Sequence, residues 1–148
     1  SGDWPEDELS SAQKDGSCLG FMPPEEAGKV LAGADALLVV MSFEKEHELF
    51  MRTSFTTKFL DYCAFHKPVI LWGPDYCTPM QVAKRENAAL TVEEPEASHV
   101  VAKASELARN PEEVAHYKDA SRRLHEGLFN PDRLQDIFVT QIEAIARA

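Results

Sequence analysis

Short, wholly apolar runs alternate along this chain with segments whose apolar residues recur every three or four positions. Ala36–Met41 is the longest such run, and Pro68–Trp72 and Ala88–Val92 repeat it. Runs without polar alternation read as strands buried on both faces, the kind that parallel sheets contain. Cys18–Phe21 is a shorter run of the same kind and reads as a first strand. Between them, Pro23-Pro24-Glu25-Glu26 opens a helix with proline and acids at the positive end of its dipole. The pattern from about Thr56 to His66 predicts a second helix with Phe59, Tyr62 and Cys63 on one side. Thr78-Pro79-Met80-Gln81 has the form of a capping box, with Thr78 as N-cap, and that helix should stop near Asn87. Asn110-Pro111 and Asn130-Pro131 divide the remainder into three helices, the last striped by Leu134, Ile137, Phe138, Ile142 and Ile145.

Strands alternating with helices predict an α/β fold. The expectation is a Rossmann-like parallel sheet of about four strands in a single domain over residues 1–148. Helices cover both of its faces, and C-terminal helices follow the last strand. Ser42 to Thr53 is too charged for a core and too long for a tight turn. Inside it, Leu49-Phe50-Met51 should pack beneath the loop or against a partner.

Composition narrows the function. Hydrophobic residues are 44% and charged residues 27%, which excludes collagen-like and disordered chains. No apolar run approaches the roughly 18 residues of a membrane span. Lys plus Arg is 15 against 25 Asp plus Glu, a net charge of −10, with only Lys84-Arg85 and Arg122-Arg123 as basic clusters. Nucleic acid is therefore not the expected partner. Three widely spaced cysteines, Cys18, Cys63 and Cys77, fit buried thiols in a reducing compartment. The expected location is the cytoplasm, with a membrane-peripheral place open to the intact protein.

Open α/β sheets bind ligands beyond the carboxyl ends of their strands, at helix N-termini. Met22-Pro23-Pro24, Ser42 to Thr56 and Gly73 to Cys77 are the loops on that edge. The sequence Thr53-Ser54-Phe55-Thr56-Thr57-Lys58 running into a helix suits a phosphate. From the spacing alone, a plain hydroxyl N-cap with a solvated Lys58, and an exposed Asp61 one turn later, are the favoured readings. Cys63, His66 and Cys77 make too few ligands for zinc. Cys77 has no defined base for covalent chemistry.

These residues also resemble a family. Gly20-Phe21-Met22-Pro23 before a helix is followed by the strand Ala34-Asp35-Ala36-Leu37-Leu38-Val39-Val40. The block from Ser54 to Ile70, SFTTKFLDYCAFHKPVI, comes next. Together these look like the nucleotide-sugar-binding half of GT-B glycosyltransferases, in particular the large retaining group 1 type, family 4. The resemblance runs from about Cys18 to Ala148 and is most specific in the Ser54–Ile70 block.

The resemblance implies a partial GT-B C-terminal domain, the donor-binding part of a retaining transferase of hexosyltransferase type. It implies that Asp61 stands at the second acid of an E-x7-E motif and binds the donor ribose. Ser54 takes the place of the first Glu, Thr56 that of the family Pro, and His66 that of the family Gly. The amides of Phe55, Thr56, Thr57 and Lys58 would meet the diphosphate, and Phe21, Met22 and Pro23 would lie beside the base. The mechanism implied needs no metal and no cofactor beyond the nucleotide-diphosphate sugar as substrate.

The family's acceptor domain, Gly-rich loop and basic diphosphate clamp have no counterpart here. The expectation is thus of a fragment, inactive alone, whose partners are the sugar donor and the acceptor domain. The competing expectation is a non-catalytic α/β binding or interaction domain on the same scaffold. With strands ordered as in doubly wound folds, Ala36–Met41 would form an apolar sheet edge. Either Cys18–Phe21 covers it or two chains pair through it as a homodimer.

Overall fold

The structure is a computed structural model that describes residues 5–147; residues 1–4 and Ala148 lie outside this range. The chain divides into two compact units, Ser1–Gly33 and Ala34–Ala148.

In the first unit, helix α1 (Glu6–Lys14) begins with three acids and ends in Lys14, matched to its dipole. It is a helix without a buried residue, so no apolar stripe announces it in the sequence. After it, the Asp15 carboxylate accepts from the Ser17 amide at 2.9 Å and the Ser17 hydroxyl at 2.6 Å. The hydroxyl bond first, then the amide, holds that carboxyl below its usual range. Helix α2 (Pro24–Gly33) opens where the Pro-Pro-Glu-Glu signal places it. The expected strand at Cys18–Phe21 is instead irregular chain. Gly16 and Gly20 sit at φ +81° and +72°, left-handed turns that interrupt the extended backbone a strand needs.

The second unit is built on a parallel sheet of three strands, β1 (Leu37–Val40), β2 (Val69–Trp72) and β3 (Leu90–Val92), side by side in that order. The sequence placed these three strands and their order correctly; the sheet has three members rather than about four. Leu38 stands opposite Ile70, and Ile70 opposite Leu90. This register fixes which side chains share a face.

One face carries Val39, Met41, Val69 and Leu71. It packs on Phe59 and Cys63 of α4 (Thr57–Cys63), on Met80 and Ala83 of α5 (Thr78–Glu86), and on Ala120 and Leu124 of α7 (Pro111–Glu126). The other face carries Ile70 and Val92. It packs on Val100 and Leu107 of α6 (Ala97–Ala108) and on Val114 and Tyr117 of α7. Helix α7 therefore crosses from one face to the other, and the Ser121 hydroxyl fixes it by donating to the Lys67 carbonyl at 2.7 Å. Helix α8 (Pro131–Ala146) ends the chain with no buried residue.

The stretch from Ser42 to Thr53 is more regular than its charge implies. A 3-10 turn at Lys45–His47 leads into a short helix, α3 (Glu48–Thr53). Met51 is buried, while Leu49 and Phe50 stay exposed. Helix α4 is shorter than expected. The amides of Ala64, Phe65 and His66 bond to carbonyls three residues back, and His66 then turns left-handed at φ +52°.

The first two strands meet closely at their carboxyl ends. A Cβ built on Gly73 would stand 2.5 Å from Met41 Cβ, atoms that no side-chain rotation can separate. Gly73→Ala is expected to cost about 1–3 kcal/mol as overpacking, read as a lower midpoint in urea unfolding. An unchanged midpoint would mean that this approach is relieved freely.

Candidate functional site

Helices α4, α5 and α6 follow β1, β2 and β3, so their N-termini are delivered to the carboxyl edge of the sheet. All three lack a side-chain cap, whereas α7 and α8 are capped by Asn110 and Asn130. The uncapped amides at that edge are free to serve another acceptor.

The ladder extends past the strands, with Met41 N–H to the Trp72 carbonyl at 2.8 Å and Gly73 N–H to the Val92 carbonyl at 3.1 Å. The Trp72 indole donates to the Glu94 carbonyl at 2.8 Å, and its ring lies 5.8 Å from that of Phe43. The Thr78 hydroxyl donates to the Arg52 carbonyl at 2.8 Å, tying the end of α3 to the start of α5. Arg52 lies 4.3 Å above the Tyr76 ring and pairs with Glu48 at 2.8 Å. The Gln81 amide donates to the Asp75 carbonyl. These bonds correct the capping box: Cys77 is the N-cap of α5, because the Thr78 and Gln81 side chains are engaged by neighbouring loops.

Ser54, Phe55 and Thr56 are half-buried, and Thr57, Lys58 and Asp61 are exposed. The Phe55 ring faces inward, 6.0 Å from Phe59 and 5.6 Å from Phe129. Only its backbone is available to a ligand. With Phe59 and Cys63 turned to the sheet, the 100° step of a helix gathers Thr57, Lys58 and Asp61 on the outer face of α4. Helical ion pairs three or four residues apart recur in this chain, as in Lys29–Glu25, Arg52–Glu48 and Arg122–Asp119. Lys58 and Asp61 have that spacing, yet neither has a salt-bridge partner among the described residues. Phe21 and Pro23 are exposed and Met22 is half-buried in the first unit.

The two buried cysteines, Cys63 and Cys77, are structural. Burial first, and then the charge of Asp75, raises the Cys77 thiol. Desolvation pushes Cys63 up to about 12. Among the described residues no three His, Cys, Asp or Glu side chains gather as metal ligands. The His66 ring instead packs 5.7 Å from His125. His47 is exposed but not merely solvated, with Glu44 at 3.1 Å and the Ser42 hydroxyl at 3.0 Å.

A cavity of about 520 Å3 lies elsewhere, lined by Asp35, Ala36, Pro68, Ile70, Leu107 and Lys118, at the amino ends of β1 and β2. Sequence reasoning assigned nothing there, since open parallel sheets bind at the other edge. The available signal was a charged residue beside each apolar segment, Asp35 before β1 and Lys118 after Tyr117.

Comparisons with protein-family models, with curated proteins and with solved structures found no match to this chain. What the structure defines is the class: an α/β protein with a parallel sheet, clothed by helices, in which no helix among the described residues is long and apolar enough to cross a membrane.

Proposed function

We propose that this chain is the donor-binding part of a retaining glycosyltransferase of the GT-B type, holding a nucleotide-diphosphate sugar at the start of α4. Asp61 accepts hydrogen bonds from the ribose hydroxyls. Ser54, the amides of Phe55–Lys58 and the Lys58 ammonium meet the diphosphate. The observation that carries this reading is the unpaired Lys58 and Asp61 beside the uncapped N-terminus of α4. A cation and free amides suit phosphate oxygens, and a carboxylate acceptor suits a diol. In a transferase such donors stabilise the charge that develops on the leaving diphosphate. Donor binding is assigned to this chain and sugar transfer to the intact protein.

Isothermal titration with nucleotide-diphosphate sugars tests the assignment. Asp61→Ala is expected to weaken binding by roughly 1–3 kcal/mol through the lost ribose bonds. Unchanged affinity would remove Asp61 from the site.

A second reading, a non-catalytic binding or interaction domain, is favoured by one specific observation: the 520 Å3 cavity lies away from the carboxyl edge. Failure of every nucleotide-diphosphate sugar to bind the intact gene product would select it.

A further inference from the structure

Two apolar surfaces of the Ala34–Ala148 unit lack a cover. The first is the β1 half of the sheet face on which α6 packs. Leu38 and Val40 point to that face and are 42% and 58% exposed, and Val101 on α6, one turn before Ala104 of the cavity lining, is 65% exposed. Together with the cavity between Ala36, Ile70 and Ala104 they form an apolar groove along β1. The second surface is α8. Leu134, Ile137, Phe138, Ile142 and Ile145 follow helical spacing and are 44–73% exposed. All the charged residues of the helix, Asp132, Arg133, Asp136 and Glu143, fall on its opposite face and flanks.

We propose that the two surfaces are halves of one interface. Helix α8 of one copy lies in the β1–α6 groove of a second copy, and the exchange is reciprocal in a two-fold dimer. Lys118 and Asp35 stand at the amino end of the groove without salt-bridge partners among the described residues. Asp132, Arg133 and Asp136 occupy the first turns of α8, equally unpaired. An α8 running in the direction of β1 sets Ile142 and Ile145 against Val40 and Val101, and brings Arg133, on the flank of the apolar stripe, to the end of the groove where Asp35 stands. At about 200 Å2 for a fully exposed large apolar residue, each α8 face offers on the order of 600 Å2. Two such contacts, counted with the groove surface that each covers, exceed the roughly 1,200 Å2 total of a stable interface. The net charge of −10 opposes association, but its reach is cut to about 8 Å at physiological salt.

Light scattering on the 148-residue chain is expected to give twice the 16.5 kDa chain mass. Val40→Asp or Val101→Asp in the groove should each weaken dimerisation at least tenfold, as should the pair Phe138→Asp and Ile142→Asp on α8. These residues are exposed, so circular dichroism should show an unchanged fold. A groove variant mixed with the α8 variant should recover a heterodimer, since one intact groove then meets one intact helix. A monomeric parent chain overturns the proposal. So does a dimer that survives the groove variants, which means α8 pairs with α8. A dimer that survives the α8 variant overturns it too, since the interface is then the β1 edge.

Discussion

Phe59→Ala is expected to lower the unfolding free energy by about 3–5 kcal/mol, the range for removing a fully enclosed phenyl ring. Phe59 has no exposed surface. Its ring lies 5.3 Å from that of Phe129, edge to face, and 6.0 Å from that of Phe55. With Cys63, it also holds the seven-residue helix α4 to the sheet. A helix that short has little stability of its own, so packing supplies it. The loss should appear as a lower midpoint in urea with little change of slope. A cost below 1 kcal/mol would mean that α4 is not packed as described.

The second large effect is alkaline. Desolvation of the Cys63 thiol pushes it up to about 12, against an ordinary value of 9.0 for the free group. The folded state thus keeps the neutral thiol at a pH where the unfolded chain ionises it. The stabilisation is complete below pH 9 and is lost as the pH rises from there towards 12. By linkage that amounts to roughly 4 kcal/mol over the window. Unfolding free energies at pH 8 and pH 11 should therefore differ more in the parent chain than in Cys63→Ala. Equal slopes in the two chains would mean that the thiol is not isolated from water.

The sheet was legible because its strands are stretches of β-branched and aliphatic residues too short for helices, and Asn-Pro pairs punctuate the helices after it. Cys18–Phe21 misled for the same reason. It is apolar, but Gly20 inside it takes a left-handed turn, and nothing in hydrophobicity reports φ. Helix α1 was illegible because it buries nothing, and α3 because only Met51 of its three apolar residues turns inward. Near the candidate site, the sequence located the entry to α4 but not its bonding. Thr78 reads as a cap, yet its hydroxyl goes to the Arg52 carbonyl, 26 residues away in the chain. Thr56 reads as a cap and makes no cap bond at all. Such choices depend on which loops meet in space, which spacing along one segment does not encode.

Amide chemical shifts of the 148-residue chain during titration with nucleotide-diphosphate sugars test the donor-site assignment most directly. The expected result is that the changes concentrate at Phe55–Lys58 and Asp61, and that they are largely reproduced by the nucleoside diphosphate but not by the nucleoside. Changes centred instead on Ala36, Ile70 and Lys118, or none at saturating ligand, would contradict a donor site at the start of α4.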